Sequence, residues 1–446
     1  MSKTFSVGGV HPHDAKFAKD CAIEELVPPK RVFISMSQHL GAPAKPIVAK
    51  GDHVLVGQQI AEAGGFISAP IHASVSGTVA DVALYPDFMG KKVQTVVIDV
   101  EGDEWMEGID RSKDIKREVL ASPQDTLRIV KEMGIVGLGG AAFPTCVKLA
   151  PPPGSKAEFL ILNGTECEPY LTSDYRLLME HTEEVIIGGE LMRRALGEPK
   201  GIIAIEDNKP LAIAKMRELT KHYLNWQVVS LKKRYPQGGE KQLIDAVTGR
   251  RVPSMGLPIA TGAVVQNVGT AFAVYEAVQK NKPLISNILT VTGNAVNIQR
   301  NYRFRIGYPI RYILEMANAC SPQEGLLPEV AKVVNGGPMM GKVVVDMEAP
   351  VVKSSSALLL LTQKETKRKP AGNCIRCGKC SQACPMALEP FFLYRLATAH
   401  RMEELDENHV CDCIECGCCL YTCPANIPLL DQIRLAKAAV MKTKKK

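Results

Sequence analysis

The chain has 446 residues, enough for about three domains. Hydrophobic residues make up 46% and charged residues 23%, which excludes a disordered or fibrous chain and implies packed cores. The formal net charge is a mild +7, with no aromatics interleaved among the basic residues and no base-reading motif, which argues against nucleic acid as a partner.

The N-terminus lacks the apolar core of a signal peptide. No run approaches the roughly 18 consecutive apolar residues of a membrane span. From about Lys45 to Val100 the text is strand-like and rich in turns. Its phrases KGDHVLVGQ and APIHASVSGTV resemble the barrel-sandwich hybrid of biotinyl and lipoyl carrier domains. A carrier needs a lysine at its hairpin tip, but the intervening AGGFIS has none, so residues 1–115 read as a structural copy of that fold. His11, His13, His39, His53 and His72 show no ligand spacing and read as surface or internally satisfied histidines.

Residues 116–250 alternate helix and strand. Ser122 followed by Pro123 and Asp125 is a helix start, and Gly134 a stop. Glu158–Asn163 and Gly201–Asp207 are short apolar runs bounded by turn residues, as buried strands are. Between them, residues 174–197 predict one long helix, weakened at Gly188 and Gly189. Helices over 210–223 and 239–249 flank a strand beginning at Trp226. This order predicts a mainly parallel, Rossmann-like sheet covered on both faces.

Residues 251–362 begin with a loop leading into a helix, then mix strands and a helix after Pro309. This is compatible with a β-grasp module of the soluble-ligand-binding type. A charged, proline-ended linker over 363–372 leads into the last domain, 363–446, where ten of the fourteen cysteines lie. The expected fold class is therefore multidomain α/β and α+β.

Cys374, Cys377, Cys380 and Cys384 precede Pro385; Cys413, Cys416, Cys419 and Cys423 precede Pro424. Each set reads C-x-x-C-x-x-C-x-x-x-C-P and resembles the bacterial ferredoxin run, in which the fourth cysteine ligates the other cluster. This assigns Cys374, Cys377, Cys380 and Cys423 to one 4Fe–4S cluster, and Cys413, Cys416, Cys419 and Cys384 to a second. A zinc ribbon needs only four ligands, usually as separated pairs, and two complete runs exceed that need. Thiolate clusters also imply a reducing compartment. Cys411 and Cys418 are spare beside the second run, and a helix is expected between the runs.

A second constellation starts at Gly134-Ile-Val-Gly137-Leu-Gly139-Gly140-Ala-Ala-Phe143-Pro144 and ends at Lys148. Glycines let the backbone approach a phosphate, a following helix adds its dipole, and Lys148 adds a full positive charge. Asn163-Gly-Thr-Glu166-Cys-Glu168-Pro follows a predicted strand, where α/β sheets bind ligands. Tyr235-Pro-Gln-Gly238-Gly239-Glu240 opens a helix, and Asn267 lies in a further short motif. Tyr235 itself reads as packing.

Together these segments resemble, in order, the motifs of the flavin- and NADH-binding subunit of respiratory complex I. With the carrier-like domain and the two cysteine runs, the chain resembles the RnfC component of Rnf electron-transport complexes over nearly all of residues 1–440. The resemblance implies that Gly137, Gly139, Gly140 and Lys148 cradle the FMN phosphate and ribityl chain. It implies that Asn163, Glu166, Gly238, Gly239 and Asn267 line the flavin. Phe143 would stack on nicotinamide, and Glu168 and Glu240 would face the NAD(H) nucleotide. Leu138, Ala142, Gly239 and Gln266 depart from the complex I motifs, and Ala142 restricts the backbone if that position needs a positive φ.

The implied activity is ferredoxin:NAD oxidoreduction through FMN and two 4Fe–4S clusters, coupled to ion translocation by membrane-embedded partner subunits. Ferredoxin is then an indirect donor, and this subunit is peripheral on the cytoplasmic face of the membrane. A soluble flavin and iron–sulfur cobalamin reductase, or a non-catalytic relay subunit, would share parts of this pattern. Cys377→Ala is expected to halve the iron of the reconstituted chain, from about eight to about four atoms, and to stop electron flow while the flavin domain stays folded. Iron analysis with circular dichroism checks it, and retention of all the iron with full turnover would refute the ligand assignment.

Overall fold

The computed structural model describes residues 2–321 and 325–444. Among these residues, two small antiparallel sheets come first. One orders Arg31–Ser35, Lys92–Val100, Gly77–Pro86 and His53–Val54; the other orders Lys45–Pro46, Gln59–Glu62 and Ile71–His72. Alternate residues such as Val32, Ile34, Val96 and Ile98 are fully buried, as expected of strands with one face on a core. This is the barrel-sandwich unit.

The central unit is a parallel sheet in the order Trp226–Leu231, Lys200–Glu206, Phe159–Gly164, Ala263–Asn267. Leu160, Ile161 and Leu162, like Ile202, Ile203 and Ile205, are buried on both faces, because helices cover the sheet on each side. Ala263–Asn267 falls in a stretch that reads as loop, yet it pairs with Phe159–Gly164 from Ala263 opposite Phe159. The sheet and the following helix Val268–Lys280 therefore run past residue 250.

The expected long helix is broken elsewhere than at its glycines. Ser173–Glu180 and Thr182–Ala195 meet at His181 (φ −126°, ψ 39°), while Gly188 and Gly189 lie inside the second helix. A Cβ on Gly188 would lie 1.8 Å from the Ala271 carbonyl oxygen, and one on Gly189 would lie 2.8 Å from Leu162 and Trp226. The glycines let Thr182–Ala195 cross Val268–Lys280 at backbone contact, and that packing overrides their poor helix propensity.

A mixed sheet follows, ordered Ile23–Glu25, Arg300–Arg305, Ser286–Thr292, Ala357–Leu361, Lys332–Asn335, Lys342–Val343. Its first strand comes from the N-terminal segment and pairs in parallel with Arg300–Arg305. The cysteine-rich unit is helical. The helix expected between the runs is split into Pro390–Thr398 and Met402–Glu407, with His400 at φ +55° between them. Leu393, Leu396, Leu405 and Val410 pack there on Leu429, Ile433 and Val440 of the closing helix Leu429–Thr443.

Two devices stitch the units. The N-terminal segment bridges at Lys3 to Leu231, exchanges backbone bonds between Val10 and Tyr235 (2.8 and 2.9 Å), and bonds from Gly9 to the Ala383 carbonyl (2.9 Å). Lys353, fully buried, donates from Nζ to the carbonyls of Pro70 (3.0 Å) and Gly134 (2.8 Å), joining three units at one ammonium or amine. Among the described residues no helix is long and apolar enough to cross a membrane. Gly188→Ala is expected to lower stability by about 1–3 kcal/mol through overpacking. Urea unfolding would show this as a lower midpoint, whereas an unchanged midpoint would refute the backbone contact.

Candidate functional site

The glycine turn, the Asn163 motif, the Gly238 motif and Asn267 all converge on the carboxyl edge of the parallel sheet. The turn is braced from behind. The Gly137 amide donates to the Phe143 carbonyl (2.9 Å) and the Leu138 amide to Thr270 Oγ1 (2.9 Å). A Cβ on Gly139 would meet the Asn267 side chain at 2.7 Å, while one on Gly140 would meet nothing within 4 Å. Gly139, Gly140 and Ala141 are exposed, and among the described residues no acceptor holds their amides. Ala142 takes φ +53°, so this chain pays the left-handed conformation with an alanine where the complex I motif has glycine. Phe143 follows, half-buried.

Lys148, on the short helix Thr145–Leu149, bonds through Nζ to Glu240 Oε1 (2.6 Å) and to the Val265 carbonyl (3.1 Å). Asn163 donates to the Gly238 carbonyl (2.9 Å) and accepts from Thr165 Oγ1 (2.6 Å), which locks one strand end to the Gly238 loop. Gly238 is packed so that a Cβ would lie 2.5 Å from Thr165 Oγ1, and Gly239 is the N-cap of the helix Glu240–Thr248. Asn267 caps the helix Val268–Lys280 by accepting from the Gly269 amide (2.7 Å) and donates to Asp174 (2.8 Å). Burial, followed by the charge of Glu166, pushes the Asp174 carboxyl up to about 7.

The two glutamates of the Asn163 motif face protein. Glu166, at φ +47°, accepts from the Asp174 amide (2.8 Å) and the Tyr175 amide (3.3 Å) at the start of the helix Ser173–Glu180. Glu168 accepts from the Met339 and Met340 amides (3.1 and 2.8 Å) in the Gly336–Gly341 turn of the mixed sheet. Lys16, half-buried, and Lys209, buried, hold the carbonyls of this loop; Lys16 and Asp174 carry no local sequence signal. Burial pushes the Glu168 carboxyl up to about 7, against its two amide bonds.

The residues fit a phosphate-bearing flavin. Among the described residues three amides without an acceptor sit on an exposed glycine turn, and Lys148 lies five residues past it in the chain, which suits an anion. Gln266 adds a buried Nε2 without a hydrogen-bond partner among the described residues, at the end of the strand that carries Asn267.

Cys374, Cys377, Cys380 and Cys423 line one cavity of 230 Å³, with Ile375, Phe391 and Phe392 around it. Cys384, Cys413, Cys416 and Cys419 line a second of 20 Å³, with Cys418 beside them. Among the described residues the cysteine side chains do not stand in a metal-holding arrangement, so the second set would have to open from 20 Å³ to take a cluster. Burial pushes the Cys413 thiol up to about 11, so a thiolate there depends on the charge of bound metal. Each cavity thus draws three cysteines from one run and the fourth from the other. Cys377 is exposed, whereas Cys384, Cys416 and Cys419 are buried. The second set lies at the seam with the central unit. There the Tyr235 hydroxyl donates to the Cys416 carbonyl (2.8 Å) and Gln242 donates to the Pro385 carbonyl (3.2 Å).

Three family models match this chain: an RnfC barrel-sandwich-hybrid domain over residues 3–103, a Nuo51 FMN-binding domain over 130–276, and a 4Fe-4S dicluster domain over 366–424. The C component of the proton-translocating ferredoxin:NAD(+) oxidoreductase complex of Clostridium ljungdahlii is 44% identical over 92% of this chain and 88% of its own length. The chain belongs to the RnfC family. The counterpart from the Na(+)-translocating complex of Acetobacterium woodii is 42% identical over 98% of both chains. The C component of the ion-translocating oxidoreductase complex of Rhodobacter capsulatus is 39% identical over 88% of this chain and 75% of its own length.

Among solved structures, an air-oxidised NAD+-reducing [NiFe]-hydrogenase matches with a TM-score of 0.51 at 18% identity, over 71% of this chain and 66% of that one, and shares the fold. The FMN-binding match ends at residue 276, so like the sheet it includes Ala263–Asn267.

Glu168 binds more protons folded than unfolded between its ordinary value of 4.5 and about 7, so its contribution to stability falls as pH rises through that window. Glu168→Gln is expected to flatten the slope. Thermal unfolding of the cofactor-free chain from pH 4.5 to 8 measures this, and an unchanged slope would show that the carboxyl titrates normally.

Proposed function

We propose that this RnfC-family chain transfers electrons between NAD(H) and low-potential carriers such as ferredoxin, using FMN at the glycine turn and a 4Fe–4S cluster at each cysteine set. In this reading it is a peripheral subunit, docked on membrane-embedded partners that move the ion, at the cytoplasmic face. The observation that carries it is a shared loop: Tyr235 to Glu240 touches Asn163 and Lys148 on one side and Cys416 on the other.

When bound, FMN exchanges electron pairs with nicotinamide and single electrons with clusters. The chain's residues bind and orient. The exposed amides of 139–141 and Lys148 take the phosphate. Asn163, Gly238, Gly239 and Asn267 form the wall of the flavin site, with Glu166 shaping it from behind. Phe143 offers a half-buried ring beside the turn for nicotinamide. Glu240 holds Lys148 in place until phosphate competes for it. Glu240 stands on the nucleotide side, whereas Glu168 is taken up by the Met339 and Met340 amides and leaves that role open to other residues. No general acid or base is required.

Anaerobic reconstitution with FMN and iron, then NADH titration followed by absorbance and EPR, tests the reading. Bleaching of the flavin together with the appearance of reduced-cluster signals is expected; iron without FMN would favour a relay subunit. Lys148→Ala removes a charged hydrogen bond worth about 1.5–3 kcal/mol, so FMN affinity should fall roughly tenfold to a hundredfold while iron content holds. Equal affinity in fluorescence titrations would place the phosphate elsewhere.

A further inference from the structure

Tyr235 is 1% exposed although it stands in a loop between two units. A buried phenol needs a partner for its hydroxyl. Here Oη donates to the carbonyl of Cys416 at 2.8 Å, and the Tyr235 carbonyl accepts from the Val10 amide (2.8 Å) and the Cys418 thiol (3.9 Å). Three residues on, the Gly238 amide donates to Cys167 Sγ (3.3 Å) and its carbonyl accepts from Asn163. Neighbouring contacts across the seam, from Gly9 to Ala383 and from Gln242 to Pro385, flank Cys384. Cys384 and Cys416 both belong to the second set.

A hydroxyl donating to the Cys416 carbonyl polarises the peptide it shares with Gly417, which lines the second cavity, and makes that peptide's N–H end more positive. Such a dipole favours the more negative, reduced form of a cluster, and hydrogen bonds and burial around the ligands are what tune its potential. We propose that Tyr235 is a positioning residue for the second cluster: it fixes the Cys416 loop against the flavin site and holds that cluster's potential above the value burial alone would set. This rests on the cofactor assignment given under Proposed function.

The test is Tyr235→Phe in the full chain, reconstituted with iron and FMN, with both cluster midpoints measured by EPR-monitored titration. The Cys377→Ala chain identifies the second cluster's signal. Iron and FMN contents should match the parent. The second midpoint should shift negative by the equivalent of roughly fivefold in its reduction equilibrium, the worth of one hydrogen bond, while the first stays fixed. Two unmoved midpoints, or two that move together, overturn the proposal. Should the phenylalanine chain lose iron, incorporation of 3-fluorotyrosine at this position strengthens the donor and keeps the ring; the same midpoint must then shift positive, and no shift overturns the proposal. A parent chain that loads neither FMN nor iron defeats the cofactor assignment instead, so the two failures are distinguishable.

Discussion

A half-buried ammonium sets the shape of the site. Lys16 donates to three carbonyls, those of Glu166 (2.8 Å), Glu168 (2.9 Å) and Leu171 (2.6 Å). A cation without water must be surrounded by acceptors, so the 166–171 loop curls around it. Lys209 repeats the arrangement one residue earlier, at the Thr165 carbonyl, with Glu206 as its counter-ion. The curl forces Glu166 into a left-handed conformation and swings its carboxylate over the helix Ser173–Glu180, while Glu168 reaches out to the Met339 turn. The floor of the proposed flavin site is thus shaped by a lysine about 150 positions earlier in the chain.

The cysteine-rich unit has two unlike ends. The second set is closed over by Tyr235, Val10 and Met339, whereas the first opens to solvent through Cys377, Arg376 and an Ile375 that is 67% exposed. Low exposure keeps the inner end dry beside the Tyr235–Glu240 loop, whereas the outer end is open to solvent. Fold and chemistry are joined at the Tyr235–Glu240 loop, because its residues answer to both neighbours.

Much of this was legible in the order of the residues. The cysteine runs declare themselves because a cubane demands three ligands on one short loop. Strands such as Phe159–Gly164 are continuous apolar runs between turn residues, and Ser122 caps its helix as its type and its neighbours suggest. What stayed hidden depends on distant partners. Ala263–Asn267 reads as loop until Phe159–Gly164 lies beside it; Gly188 looks like a helix breaker until Ala271 is seen against it. Glu166 stood out through its motif, but its bond to a helix start was not legible, since the helix begins seven residues on. Ala142 shows the converse: a residue that seems to forbid a positive φ adopts one because both flanks of the turn are anchored.

The N-terminal strap carries a consequence for biosynthesis. Residues 3–25 leave the ribosome long before their partners, among them Leu171, Leu231, Tyr235, Asn301 and Ala383. Partners for these early residues emerge only from Glu166 onward and the last of them is Ala383, and non-local pairing is slow to form. A stretch translated early is therefore among the last to be stitched in, so maturation finishes late, when the cysteine loops are available for metal loading.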